Sequence, residues 1–229
     1  MEASWLHKSD CRKRNLIIFC NGWGMDGHPF SALSSVDYNV YMLHDYRQLD
    51  NPPDVKAFAE KYQQIHLVGW SMGVWVGQKL FSGKEYLFHR TIAINGTLCP
   101  IHDNFGIPKK VFDATLADYG ESARSKFYKR MCRDKVNLQI FLSRQPQRTV
   151  EDQAEELTAL RKMADCLPVE ESIYKEIIIS DCDWVIPSAN QFGFWQRGQV
   201  TSVSGFHFLF NRWPSWDHLL NFSDVVPLN

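Results

Sequence analysis

Short apolar runs separated by polar stretches organise this chain. Asn15 to Cys20, NLIIFC, stops at the glycine-rich NGWGMDG, the pattern of a buried strand running into a loop. Tyr38 to His44 and Ile65 to Val68 repeat it, and Arg90 to Asn95, Tyr174 to Ser180 and Gln199 to Val203 supply further strands. Each run is rich in Val, Ile, Leu or aromatics, and the intervals between the early ones, such as Asp54 to Lys61, can hold crossover helices. That alternation predicts an α/β chain with a mostly parallel central sheet and helices on both faces. Met72 to Phe81 places Val74, Trp75, Gln78, Lys79 and Leu80 at helical spacing, with Gly83 as a stop signal, and WPSWDHLL near the end of the sequence reads as a terminal helix.

The alternation breaks after the fourth strand. From about Thr97 to Glu171 the pattern is polar and helical, with FYKRM at Phe127 to Met131 and EELTALRKM at Glu155 to Met163. This is longer than a crossover needs, so it predicts a helical lid inserted at about 97–171 into a single domain spanning 1–229. Met1 to Arg14 is assigned no element. It lacks the apolar centre of a signal peptide, and no apolar run reaches membrane-spanning length, so a soluble cytoplasmic protein is expected.

Composition narrows the function. A 229-residue chain that is 45% hydrophobic, with Trp 8 and Phe 15, has enough apolar material for a core and a lined pocket. Its formal net charge of -1 argues against nucleic-acid binding or a polybasic membrane surface. Cys11, Cys20, Cys99, Cys132, Cys166 and Cys182 show no CxxC spacing and read as free thiols, with Cys20, Cys99 and Cys182 packing near strand ends. No metal site and no cofactor is indicated.

Gly69-Trp70-Ser71-Met72-Gly73 is a G-x-S-x-G pentapeptide between an apolar strand and an amphipathic helix. Such a turn presents a serine in a strained backbone conformation, and the flanking glycines let strand and helix cross; it predicts the α/β-hydrolase fold with Ser71 as nucleophile. A serine hydroxyl needs an imidazole base, and that base a carboxylate, in the chain order Ser, Asp, His. Asp183 follows EIIISDC and His207 follows VTSVSGF, both at strand ends. Asp181 competes with Asp183 because either could emerge from the same strand, Asp183 being preferred for its Asp-Trp-Val-Ile-Pro turn. His218 is a rival base but falls in the terminal helix pattern. Two backbone amides are expected to stabilise the oxyanion, one from Met72 and one from Trp23 in the Asn21-Gly22-Trp23-Gly24 loop.

NGWG, VGWSMGVWV, the INGT run, NFGIP at Asn104 to Pro108 and SGFHFLF together resemble the pimeloyl-acyl-carrier-protein methyl ester esterases of the BioG type, from about Asn15 to Leu220. The resemblance implies hydrolysis of the methyl ester of pimeloyl-acyl carrier protein in biotin biosynthesis, with Ser71, His207 and Asp183 catalytic and Trp23 and Met72 as oxyanion donors. One departure from many α/β-hydrolases is Asn21, where a histidine often precedes the loop glycine. The implied partner is an acidic acyl carrier protein. Arg124, Lys126, Lys129, Arg130, Arg133 and Lys135 cluster in the inserted segment with Asp134 as the local counter-charge, and Lys126, Lys129, Arg130 and Arg133 share one face at helical spacing, away from Phe127 and Met131. Two alternatives remain open: a hydrolase of small esters or lactones with no carrier partner, and a non-catalytic acyl-binding protein of the same fold.

Overall fold

The computed structural model describes residues 1–9, 14–196 and 199–222. Its strands are β1 (Glu2–His7), β2 (Asn15–Cys20), β3 (Tyr38–His44), β4 (Gln64–Trp70), β5 (Arg90–Ile94), β6 (Glu176–Ser180) and β7 (Gln199–Val203). They form one seven-stranded sheet in the order β1-β3-β2-β4-β5-β6-β7. β1 is antiparallel to β3, and the other neighbours are parallel. The helices are α1 (Val55–Ala59), α2 (Met72–Phe81), α3 (Lys109–Ala117), α4 (Glu121–Cys132), α5 (Lys135–Leu142), α6 (Val150–Met163), α7 (Ser188–Phe194) and α8 (Trp216–Leu220).

The period-two geometry of a strand explains why β2 is apolar throughout. Leu16, Ile18 and Cys20 join a core on one face with Trp75 of α2 and Leu157 and Leu160 of α6. Ile17 and Phe19 point to the opposite core, which holds Trp70, Phe30, Phe210 and Trp216 of α8. Phe19, Phe30, Phe210 and Trp216 meet there as edge-on or tilted rings with centroids 4.8 to 6.4 Å apart. Local chemistry sets the helix starts: the Asp54 carboxylate accepts from the Lys56 and Ala57 amides at α1, and Thr149 accepts from Asp152 N–H at α6.

Two expectations are corrected. The first fourteen residues contain β1, an edge strand whose partly exposed, mixed-polarity positions carry no continuous apolar run. The cysteines are not all free: Cys99 and Cys166 form a disulfide across 67 residues, with Cα atoms 4.1 Å apart. The pair is made by the fold, which returns the chain at Leu167 to donate its amide to Leu98 O at 3.0 Å. Cys20 and Cys132 are free and buried, Cys182 is exposed rather than packed, and Cys11 lies outside the described residues.

Between β5 and β6 the chain carries α3 to α6, of which α3, α4 and α6 line a cavity at the strand end that leads into Ser71. Among the described residues no helix is long and apolar enough to cross a membrane.

Candidate active site

Ser71 sits at φ 57° and ψ -125°, between the last residue of β4 and the first of α2. A non-glycine residue avoids this region unless its surroundings hold it there. Here the Ser71 amide donates to Ile94 O at 3.0 Å. The neighbouring glycines are required by space. A Cβ on Gly73 would lie 2.0 Å from Cys20 O, and one on Gly69 would lie 2.6 Å from Tyr174 Oη.

The turn brings Ser71 Oγ within 2.9 Å of His207 Nε2, while His207 Nδ1 lies 2.7 Å from Asp183 Oδ2. All three residues are buried, Ser71 at 6% exposure. If Nδ1 carries the proton and donates it to Asp183, Nε2 is left as a lone pair facing the serine hydroxyl, the arrangement that general-base removal of the hydroxyl proton requires.

Asp183 has the better-built environment of the two carboxylates after β6. Its Oδ1 accepts from Val185 N–H at 2.8 Å and Ile186 N–H at 3.1 Å, and its Oδ2 from Gln191 Nε2 at 2.8 Å. Asp181 is exposed and accepts from Gly205 N–H at 3.0 Å, a loop contact away from His207. His218 lies in α8, with Nδ1 2.7 Å from Ser215 Oγ.

Sequence reasoning assigned no role to two residues that hold this arrangement. Gln191 fixes Asp183, and Asn95, fully buried at the end of β5, fixes the His207 loop. Asn95 Nδ2 donates to Phe206 O at 3.1 Å and to His207 O at 2.9 Å, and Asn95 Oδ1 accepts from Ser180 N–H at 2.8 Å. Trp70 Nε1 also donates to His207 O, at 3.0 Å. The available signal was a polar residue ending the apolar RTIAIN run.

Gly22, Trp23 and Met72 line the cavity beside Ser71 and His207. Asn21 shapes this loop: its Oδ1 accepts from Gly22 N–H at 2.7 Å and its Nδ2 donates to Asp26 O at 3.2 Å. The rest of the wall is largely apolar, with Ile107, Val111, Phe112, Phe127 and Leu157 contributed by the segment between β5 and β6, and Val185 following β6. Phe127 packs against the core, meeting Trp23 edge-on at 5.0 Å between ring centroids, and also lines this cavity.

Of the four basic residues expected to share one face, Lys126, Lys129 and Arg130 lie on α4 at that spacing and Arg133 falls beyond its end. Arg124 pairs with Glu121 at 2.6 Å. Lys126 and Lys129 are exposed on α4, and Lys135 is exposed at the start of α5. Arg130 lines the cavity of Ser71 and also a groove shared with Lys110 and Lys126. Arg133 leaves the helical face because α4 ends at Cys132; its φ of 58° turns the chain, and its guanidinium sits 3.4 Å from the Trp184 ring centroid.

Residues 2–219 match the family described as Pimeloyl-ACP methyl esterase BioG. A crystal structure of BioG from Haemophilus influenzae superposes with a TM-score of 0.85 at 30% identity, covering 96% of this chain and 99% of that one. A Bacteroides fragilis (strain 638R) protein named malonyl-[acyl-carrier protein] O-methyltransferase is 34% identical over 198 residues, 86% of this chain and 40% of that protein, so the chain spans less than half of that relative. MGS-M2, an α/β hydrolase enzyme from a Medee basin deep-sea metagenome library, shares the fold at a TM-score of 0.63 and 15% identity, covering 100% of this chain and 95% of that one. With the α/β-hydrolase sheet, the serine turn and a match that runs nearly end to end, the chain belongs to the pimeloyl-ACP methyl esterase BioG family.

Proposed function

We propose that this member of an esterase family is a serine esterase that hydrolyses the methyl ester of pimeloyl-acyl carrier protein. The observation that carries the reading is the hydrogen-bonded series Ser71 Oγ, His207 Nε2, His207 Nδ1 and Asp183 Oδ2 at the floor of an apolar cavity. In the proposed reaction His207 Nε2 takes the Ser71 proton as Oγ attacks the ester carbonyl. The N–H groups of Trp23 and Met72 receive the developing oxyanion, and His207 returns the proton to the departing methoxide, which leaves as methanol. Water activated by His207 then cleaves the acyl-serine and frees the carboxylate. Asp183 keeps His207 in the required orientation and favours its protonated form.

The walls suit a substrate with an apolar middle. The methylene chain of a pimeloyl group would lie against Ile107, Val111, Phe112 and Phe127, and Arg130 marks where this cavity joins the groove containing Lys110 and Lys126. An acyl arm leaving by that groove would place an acidic carrier protein against exposed lysines, with α3 to α6 serving as the lid. A methyltransferase acting on a malonyl group held by a carrier protein, the activity in the name of the Bacteroides fragilis relative, installs the kind of ester that this chemistry removes.

The test compares wild type and Ser71→Ala on the carrier-bound pimeloyl methyl ester and on a short p-nitrophenyl ester, with fluorophosphonate labelling in parallel. Labelling at Ser71, loss of both activities in the variant and a strong preference for the carrier-bound ester are expected. Equal turnover of both substrates would favour a small-ester hydrolase, and absence of labelling and hydrolysis a binding protein.

A further inference from the structure

We infer that Glu156 and Gln153 of α6 are positioning residues that set the oxyanion loop, so that the inserted helices complete the catalytic scaffold as well as cover it. The inference rests on the esterase reading above and adds residues to it.

The loop is clasped on both sides of Trp23. On the N-terminal side Asn21 Oδ1 holds Gly22 N–H. On the C-terminal side both polar backbone groups of Gly24 are held by α6: its N–H donates to Glu156 Oε2 at 3.0 Å, and its carbonyl accepts from Gln153 Nε2 at 2.7 Å. The Trp23 indole donates to the Gln153 backbone carbonyl at 2.9 Å. Gly24 has a φ of +74°, a conformation glycine tolerates but does not enforce, so these contacts define the path of the loop.

The clasp is itself anchored. Glu156 is fully buried and its Oε1 accepts from Tyr46 N–H at 2.8 Å. Burial pushes its carboxyl above the ordinary range, and the Arg148 guanidinium and the two backbone amides pull it back. Arg148 joins Glu156 and also reaches Asp45 Oδ2 at 3.3 Å. Gln153 is 1% exposed; its Oε1 accepts from Tyr119 Oη at 3.0 Å, and its Nε2 also lies 3.2 Å from Tyr128 Oη. A buried acid carrying this many partners between α6 and a loop far away in sequence has little freedom to shift. The Trp23 N–H inherits that rigidity, and an oxyanion donor acts through being fixed before charge develops. Since the oxyanion exists only in the transition state and intermediate, loosening the clasp should lower kcat and leave substrate binding alone.

The experiment uses the full chain with Gln153→Met, which keeps the side-chain length and removes the amide's contacts to Gly24, Tyr119 and Tyr128, and Glu156→Gln, which keeps the shape and removes the charge. Each is measured for kcat, KM, thermal unfolding and the affinity of a reversible alkyl boronic acid, whose adduct on serine places an oxygen where the oxyanion would sit. The expected result is a kcat loss of about 10- to 100-fold, somewhat less than removal of a donor outright, a parallel loss of boronate affinity and a KM within about twofold of wild type. Wild-type kcat and boronate affinity in a folded Gln153→Met protein would overturn the inference. A rise in KM alone would also overturn it, since α6 would then act on substrate binding. Gln153→Met carries the test if Glu156→Gln fails to fold. Hydrolysis by wild type and its loss in Ser71→Ala establish the esterase reading separately, so an unaffected α6 variant counts only against the clasp.

Discussion

Asn95 Nδ2 lies 2.9 Å from the backbone carbonyl of His207, tying the end of β5 to the loop after β7. The same amide group reaches Phe206 O and Ser180 Oγ, so one buried side chain spans two neighbouring strand ends. Asn95→Ala should therefore loosen the His207 loop and leave the buried Ser180 N–H without its acceptor, destabilising the fold by about 1–3 kcal/mol. Turnover should drop by about tenfold or more with KM little changed, because the imidazole loses its aim at Ser71. Denaturant unfolding and steady-state kinetics on the same preparation check both parts.

The two carboxylates after β6 should separate cleanly. Asp183→Asn removes the acceptor facing His207 Nδ1 and is expected to lower kcat by about 10⁴-fold. Asp181→Asn alters an exposed loop contact to Gly205, so its turnover should stay within a few-fold of wild type and its stability within about 0.5 kcal/mol. The reverse ranking would sink the assignment of Asp183.

Charge reversal on α4 must avoid two of the arginines that first suggest themselves. Arg130 lines the cavity of Ser71, and Arg133 stacks on the residue after Asp183, so reversing either disturbs the site directly. Lys126→Glu with Lys129→Glu changes two exposed positions. On the carrier-bound ester this pair should lower kcat/KM several-fold at low salt and reverse the wild-type decline with rising salt, since screening now weakens repulsion instead of attraction. Hydrolysis of a small ester should be unchanged. Equal losses on both substrates would point to a damaged lid.

His66 gives the fold a defined sensitivity to acid. His66 is 2% exposed among Tyr38 and His89, and among the described residues its two ring nitrogens have no hydrogen-bond partner. Burial, with smaller contributions from His89 and Arg90, lowers its pKa from 6.5 to about 4. A histidine whose folded pKa is depressed binds protons more readily when unfolded, so the stability it contributes is present above pH 6.5 and is lost as pH falls toward 4. Unfolding free energies of wild type and His66→Leu, followed by urea titration at several pH values, should show a shallower acid-side decline in the variant. Parallel curves would remove His66 from the account.

The parts of the molecule that were legible in sequence are those fixed by neighbours along the chain. The β4 run, the glycines around Ser71 and the periodicity of α2 are local, and they place the turn without reference to anything distant. Asp183 and His207 could be picked out because each follows an apolar strand. Glu156 could not, since its partner Gly24 is 132 residues away and nothing in EELTALRKM distinguishes a buried acid from a solvated one. The same holds for the Cys99–Cys166 pairing, which follows from the return of the chain at Leu167. Arg133 was misplaced for a local reason, as helical spacing was carried one residue beyond where α4 stops.

The site draws on the carboxyl ends of β2, β4, β5, β6 and β7, which are consecutive neighbours in the sheet. The serine follows an early strand, β4, and its proposed base follows β7, so a chain emerging during synthesis carries Ser71 long before His207 can reach it. On the proposed mechanism the Ser71 hydroxyl has no base until β7 docks, so the appearance of ester hydrolysis would time the closing of the sheet.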